Sequence, residues 1–381
     1  MTNSILSDII YLKRGVFYGL RVKKEVSRYN EIDLIEAIAI FFVIFYHCTT
    51  YSFDFISNGT FNNYILYFSR TILATCVPIF FFVNGFLLLN KPLNLKKHIT
   101  KCINLLVIIF IWALILMPLY LMINGEPVTL NAIVVPILNL SVDYDMNLFW
   151  FLGALICIYI LFPLLKTCFD TNKKAFIIFT LVCGILTLGF DLINEIALIT
   201  SRFTGILENG IEVPIITMFN PFSGSYGYSF VYFCIGGLLY GYKEKILSVP
   251  AYKRNLVSIF GIFVCCSCLF VMGVLHSRYI KNEVWDIVWN GYDTIFTFFN
   301  VIFIYTLCLN YKKESKLIKT ISLNTMGIYL VHNIFTNLFT QHVTDRMENI
   351  GFNTVFAIIV LLLSLLLSII LKKIPIVKKF V

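Results

Sequence analysis

The sequence predicts an all-α, polytopic integral membrane protein of about ten transmembrane helices with both termini in the cytoplasm. Hydrophobic residues make up 59% of the 381-residue chain and charged residues only 13%. One soluble domain cannot bury so large an apolar fraction. Apolar runs of about 20 residues, the length that crosses roughly 30 Å of hydrocarbon, recur along the whole chain. We therefore expect the lipid bilayer to cover most of this surface.

Hydropathy divides the chain into a short basic segment, a membrane domain and a short basic tail. Residues 1–31 form a cytoplasmic segment that is either an interfacial amphipathic helix or a disordered basic arm. Residues 32–372 form the membrane domain, and residues 373–381 the cytoplasmic tail. The predicted spans are about residues 32–53, 64–89, 102–123, 148–165, 175–194, 226–242, 255–275, 292–310, 321–340 and 354–371.

The distribution of basic residues predicts the orientation. One set of alternate connections, which includes both termini, holds 25 of the 30 lysines and arginines, whereas the other set holds four. Cytoplasmic loops carry such an excess, so an even number of spans is expected. The net charge of +9 then reflects membrane orientation, and no nucleic-acid partner is expected. Eleven cysteines lie mostly in or beside apolar runs without metal-ligand spacing, as packing residues do.

Ionisable residues inside a span cost a few kcal/mol each, and four of them stand out here: Glu36, His47, Arg70 and His332. Glu36 and His47 are 11 residues apart, which places them on one helix face about 16 Å apart. A first helix that starts in the cytoplasm carries His47 into the outer half of the membrane. There His47 either takes a proton from a hydroxyl or packs against a neighbouring helix.

Arg70 also needs an explanation, because a buried guanidinium requires an anion or a dipole. It either binds a phosphate or carboxylate of a ligand or pairs with a carboxylate of the protein, such as Glu36 or Asp54. The sequence leaves both interpretations open.

Four segments in order resemble the acyltransferase 3 family of integral membrane O-acyltransferases. They are residues 32–39 continuing to Tyr46 and His47, residues 77–85, residues 149–152 with Tyr159 and Pro163, and residues 327–332. The resemblance extends from about residue 31 to residue 370. It implies a multi-pass protein of the cell membrane that moves an acyl group, most often acetyl, from cytosolic acyl-CoA. The implied acceptor is a hydroxyl of a cell-surface polysaccharide or lipid-linked glycan, which gives O-acetylation.

The resemblance also implies site residues. His47 matches the catalytic histidine, and Arg70 a polar residue of the active site. Lys97 and Lys101 match a basic motif that either holds the phosphates of coenzyme A or only marks a cytoplasmic loop. No cofactor beyond the acyl-CoA donor is implied, and the five scattered histidines predict no metal site. His332 and Tyr329 either orient the donor and line its channel or pack within the bundle.

One position departs from the family pattern. Members usually carry arginine or lysine 11 residues before the histidine, where this chain has Glu36, which cannot bind phosphate. The donor contact has moved to Arg70 and Lys97, or Glu36 pairs with Arg70, or acyl transfer has been lost. The alternative functions are an exporter of a polysaccharide or lipid-linked sugar, which also uses several buried charges, and a membrane sensor or scaffold.

Overall fold

The computed structural model describes residues 28–48, 53–139, 149–204, 220–222, 226–343, 349–375 and 377–381. All regular secondary structure in these residues is helical, which confirms the predicted fold class. The proposed interfacial helix of the N-terminal segment falls on residues 1–27, outside the described residues. The described ranges contain fourteen α-helices: α1 Asn30–Cys48, α2 Phe61–Arg70, α3 Cys76–Leu88, α4 Leu95–Ile123, α5 Leu130–Asn139, α6 Trp150–Thr171, α7 Lys173–Gly184, α8 Phe190–Thr204, α9 Tyr228–Leu247, α10 Ala251–His276, α11 Ile295–Cys308, α12 Lys316–Leu323, α13 Thr325–Val343 and α14 Ile350–Leu371.

Each predicted span overlaps a helix, but fewer helices qualify as membrane spans by length and composition. In the described part of the chain, six are long and apolar enough: Phe61–Leu88, Leu95–Ile123, Trp150–Thr171, Lys173–Thr204, Ala251–Ile280 and Ile350–Leu371. Helix α1 carries three acidic residues, and α11 has only 14 residues. The count of ten and the cytoplasmic termini therefore stay predictions.

The helices expose apolar side chains and bury polar ones, the reverse of a soluble protein. Leu114 on α4 is 54% exposed, Leu256 on α10 is 68% exposed and Leu362 on α14 is 49% exposed. Lipid tails are as apolar as leucine, so such side chains face the bilayer at no cost. Arg70 and His332, in contrast, are buried in the bundle.

The second predicted span is not one continuous α-helix. Helix α2 ends at Arg70, a 3₁₀ turn covers Ile72–Thr75, and α3 starts at Cys76. Pro78 lies in the first turn of α3 and has no N–H to bond the carbonyl of Ala74, which a continuous helix would require. The break places Arg70 at the end of a short helix rather than within a long one.

Helices α3 and α9 pack closely because glycines face the neighbouring backbone. A Cβ added at Gly85 would lie 1.7 Å from the carbonyl oxygen of Phe233, and one at Gly236 would lie 2.0 Å from that of Phe82. Only glycine permits such an approach, as is common where membrane helices meet. This contact joins α9 to α3, and α3 in turn packs against α1.

Helix α1 lies inside the bundle and packs against α3, α12, α13 and α14. Its small and branched residues Ile35, Ala39 and Val43, one turn apart, are buried against these neighbours. The amphipathic pattern expected of a surface helix is absent, because α1 is covered on most sides. Its C-terminal end, with His47, is therefore held within the bundle.

Candidate active site

Two of the predicted site residues meet at the end of α1. The ring centroid of His47 lies 5.2 Å from that of His332, which α13 contributes. His332 is completely buried. A neutral imidazole carries one N–H donor and one acceptor nitrogen, so it can pass a proton on or take one up. The contact therefore puts two proton-transfer groups together inside the bundle.

The hydrogen bond of His332 defines its tautomer. Its Nδ1 lies 2.7 Å from the carbonyl oxygen of Tyr329, and because a carbonyl only accepts, Nδ1 carries the proton. The other nitrogen, Nε2, is buried and has no hydrogen-bond partner among the described residues. In the neutral ring Nε2 is an acceptor, so His332 presents a lone pair to its surroundings.

Arg70 lies beside the residue that precedes His47. Its guanidinium carbon is 5.0 Å from the ring centroid of Tyr46 and 4.0 Å from that of Phe53, distances typical of cation–π contacts. Its Nη2 lies 3.5 Å from Oδ1 of Asp286. Tyr46 donates a hydrogen bond of 2.6 Å to Oδ2 of the same carboxylate. Asp286 thus joins α1, α2 and the connection that precedes α11.

The carboxylate that pairs with Arg70 is neither of the two named from the sequence. Asp54 instead accepts hydrogen bonds from the side chain and N–H of Ser57 and from the N–H of Ile56, which together hold the pKa of the Asp54 carboxyl below its ordinary value. Glu36 lies about 16 Å along α1 from His47, toward the other end of the helix. Arg70 lies at the His47 end, so an interaction with Glu36 is out of reach.

Glu36 belongs to a separate polar cluster at the start of α1. Ser322 of α12 lies within hydrogen-bond distance of Oε2 of Glu36, at 2.5 Å, and of Oδ1 of Asp33, at 2.8 Å. One hydroxyl proton serves only one of these carboxylates at a time. Arg28 forms an ion pair with Asp33 at 2.6 Å and donates a hydrogen bond to Ser322. The guanidinium of Arg28 thus lies in the same cluster as Glu36, connected to it through Ser322.

The two lysines of the basic segment have different surroundings. Lys101 donates a hydrogen bond of 2.7 Å to the hydroxyl of Tyr159, which in turn donates to Oδ1 of Asn84 at 2.7 Å. Lys97 is exposed, and the contact it makes is through its backbone N–H, which the side chain of Asn94 caps. Lys101 is therefore fixed to α3 and α6, whereas Lys97 faces outward.

The four segments that carried the resemblance converge in space. The ring of Phe151 on α6 lies 5.2 Å from that of Phe81 on α3 and 5.4 Å from that of Tyr329 on α13. The Tyr329 ring in turn lies 5.9 Å from His332, which contacts His47. A continuous series of packed rings thus connects the four segments. The site is not a set of separate surface features.

Asp286 is the site residue that the sequence did not reveal. It lies between α10 and α11, outside any apolar run, and is 240 residues from its partner Tyr46. Its carboxylate also accepts hydrogen bonds from the N–H groups of Val288 and Trp289. The one available signal was that connections on the predicted outer side are rich in acidic residues.

The comparison with known proteins agrees with this arrangement. The sequence model of one protein family, described as an acyltransferase domain (Acyl_transf_3), matches residues 29–373. No curated protein and no solved structure matches the chain. The match starts just before α1 and ends just after α14, so it includes every candidate site residue. The chain therefore belongs to the acyltransferase 3 family, and its apolar helices make it a membrane acyltransferase.

Proposed function

We propose that the protein transfers an acyl group, in the simplest case acetyl, from cytosolic acyl-CoA to a hydroxyl of an extracytoplasmic polysaccharide or lipid-linked glycan. The observation that carries this proposal is the contact between His47 and the buried His332, with Arg70 held beside them through Tyr46 and Asp286. A general base can activate the acceptor hydroxyl, and positive charge can stabilise the oxyanion that develops during acyl transfer to an alcohol.

His47 acts as general base in this mechanism. It takes the proton of the acceptor hydroxyl while the oxygen forms a bond to the thioester carbonyl carbon. The carbon–sulfur bond breaks, and the proton returns from His47 to the sulfur of coenzyme A, which leaves as the thiol. Arg70 supplies positive charge beside the reacting carbonyl, where negative charge develops on oxygen.

The donor enters from the opposite side of the bundle. Lys101 and Tyr159 lie near the start of α4, and Tyr159 is eight residues, about 12 Å, along α6 from Phe151. Phe151 contacts Tyr329, the neighbour of His332. Lys101, with Lys97 at the mouth, attracts the phosphates of acyl-CoA. The acyl end of the donor then reaches His47 past the rings of Phe151 and Tyr329.

The test is acyl transfer by the purified protein in nanodiscs, with labelled acetyl-CoA and a glycan extract from the membranes that express it. His47→Ala should lower incorporation of alkali-labile acetyl by about 10²-fold or more. His342→Ala is the matched control, because His342 is exposed at the end of α13. Unchanged transfer by His47→Ala would remove the histidine from the mechanism.

The alternative function, export of a polysaccharide or lipid-linked sugar, can be tested with the same purified protein. For transport, the same purified protein is reconstituted into sealed vesicles of the same lipids. If labelled glycan crosses the vesicle membrane without any acyl donor, and no acetyl is incorporated, the acyltransfer proposal fails. Transfer that needs acetyl-CoA and His47 would exclude the exporter as the main activity.

A further inference from the structure

A cavity of about 270 Å³ opens beside the candidate active site. Its wall includes Trp285, Trp289 and Asn290 from the connection between α10 and α11. The same connection carries Asp286, which accepts the hydrogen bond of Tyr46. The cavity therefore borders the segment that contacts the end of α1, where the candidate base lies. We refer to it as the acidic cavity.

The lining of the acidic cavity has one sign of charge. Asp191 and Glu195, one turn apart on α8, and Asp293 from the connection before α11 contribute carboxylates, and among the described residues no lysine or arginine lines it. Glu195 faces His276, whose Nδ1 is 3.0 Å from Oε2. No hydrogen bond or ion pair joins Asp191 or Asp293 to another side chain in the described part of the chain. Carboxylates removed from bulk water in this way are stabilised by a cation.

Aromatic rings form the rest of the wall. Five of the lining residues are tryptophan or tyrosine, among them Trp289 and Tyr292. Trp150 packs behind them, 5.0 Å from Trp289 and stacked on Tyr292 at 5.6 Å. Ring faces attract cations, and ammonium groups are bound in proteins by aromatic walls with nearby carboxylates. Carboxylates and rings together therefore favour an organic cation.

The arrangement of the lining side chains and the volume of the cavity restrict the class of ligand further. In the residues that the structure describes, no group of three His, Cys, Asp or Glu side chains is arranged to hold a metal ion. A volume of about 270 Å³ is near the lower limit for small-molecule pockets. It accommodates one ring-sized unit, with the rest of a larger molecule left outside.

We propose that the acidic cavity binds a protonated amine of the acceptor, so that the acceptor hydroxyl belongs to an amine-bearing sugar unit. This assignment rests on the acyltransfer function proposed above and specifies its acceptor. Anionic acceptors are disfavoured, because three carboxylates repel them. The amine anchors the sugar between Trp289 and Asp293, and a neighbouring hydroxyl of the same molecule reaches the end of α1.

Tryptophan fluorescence can report binding without any acyl donor. Three of the four tryptophans, Trp150, Trp285 and Trp289, lie in or against the acidic cavity. The protein, in nanodiscs of zwitterionic phosphatidylcholine, is titrated with three tetrasaccharides: glucosamine, N-acetylglucosamine and galacturonate oligomers, in a buffer that keeps the amines protonated. The glucosamine tetramer should bind at least about tenfold more tightly than the other two. Equal affinities, or no saturable change, would overturn the proposal.

Substitutions test whether the glucosamine tetramer binds in the acidic cavity. Asp293→Asn and Asp191→Asn, each tested alone, should weaken the glucosamine tetramer about tenfold and leave the weak binding of the other two unchanged. Glu283→Gln, exposed in the same connection and outside the lining, removes the same charge and should have no effect. If Glu283→Gln acts as strongly as Asp293→Asn, the effect is general electrostatics and the cavity is not the site.

Two further comparisons distinguish a sugar amine from a lipid headgroup in the cavity, and the cavity assignment from the proposed acyl transfer. Phosphatidylethanolamine added to the nanodisc should not change the glucosamine affinity; a tenfold loss would mean that a lipid headgroup fills the cavity, against the amino-sugar assignment. Because the titration contains no acyl-CoA, it is independent of catalysis. Amine binding without acyl transfer would overturn the proposed function alone, and acyl transfer without amine binding would overturn the cavity assignment alone.

Discussion

Tyr46 donates a hydrogen bond of 2.6 Å to Asp286, and Arg70 contacts the other oxygen of that carboxylate at 3.5 Å. Tyr46 directly precedes His47, so this interaction connects the candidate base to the segment that borders the acidic cavity. We therefore expect a change in that segment to affect the end of α1.

Tyr46→Phe tests this connection. The variant keeps the ring beside Arg70 but removes the hydroxyl, so that Asp286 loses a short, charge-assisted hydrogen bond. We expect a loss of about 1–3 kcal/mol in stability and a lower rate of acyl transfer. Thermal unfolding in detergent and the transfer assay measure the two effects. The matched control is Tyr252→Phe, since Tyr252 is 69% exposed on α10. A variant with the unfolding temperature and rate of the parent would show that the hydroxyl is dispensable.

Substitutions of His332 distinguish the roles of its two ring nitrogens. His332→Asn keeps an N–H group near the position of Nδ1, and hence the bond to the Tyr329 carbonyl, but has no counterpart of Nε2. If Nε2 serves His47, we expect His332→Asn to fold normally and to lose at least about tenfold in kcat, or about 1.4 kcal/mol of transition-state stabilisation. His332→Leu, which loses both nitrogens, should in addition unfold at a lower temperature.

The measurement for His332 is kcat and KM for the acyl donor, together with the unfolding temperature. A drop in kcat with unchanged KM and stability indicates a role in the reaction. A drop in stability with unchanged kcat would instead assign His332 to packing, the alternative that the sequence had left open.

The two lysines should also behave differently. Both lysines are exposed, but Tyr159 holds the ammonium of Lys101 in place for a direct contact with a phosphate, whereas no side-chain hydrogen bond holds that of Lys97 in the described part of the chain. We expect Lys101→Met to raise KM for acetyl-CoA about tenfold at every salt concentration. Lys97→Met should raise KM only at low salt, since exposed charges are screened within about 10 Å at 0.1 M. Identical salt profiles for the two variants would contradict the difference in their surroundings.

The sequence predicted the parts of the site that lie on helices. His47 and His332 stand out because an ionisable group in an apolar run is costly, and that cost is visible in the sequence. The helices themselves were found by their apolar length, and each predicted span overlaps one. Whether a given helix crosses the membrane was harder to predict, as the acidic residues of α1 and the shortness of α11 show.

The partners of those residues could not be predicted. Asp286 lies in a connection between helices, where a carboxylate is not costly and so does not stand out in the sequence. Its contact with Tyr46 depends on how α10 and α1 pack. The same holds for Ser322, which meets Glu36 only because α12 lies against the start of α1. The sequence left open whether Arg70 binds a ligand anion or pairs with a protein carboxylate; the structure pairs it with Asp286, and the choice among carboxylates is a property of the tertiary fold.

The close contact between α3 and α9 should depend on glycine at position 236. Gly236→Ala places a methyl group 2.0 Å from the Phe82 carbonyl oxygen, so α3 and α9 must separate. Overpacking of this kind costs about 1–3 kcal/mol, and more where backbone must move. Gly241→Ala on the same helix meets nothing within 4 Å, and should be neutral or gain up to about 1 kcal/mol from helix propensity. Unfolding temperatures in detergent, with the yield of monodisperse protein, compare the two. Equal stability of both variants would mean that α3 and α9 do not approach as closely as the glycines indicate.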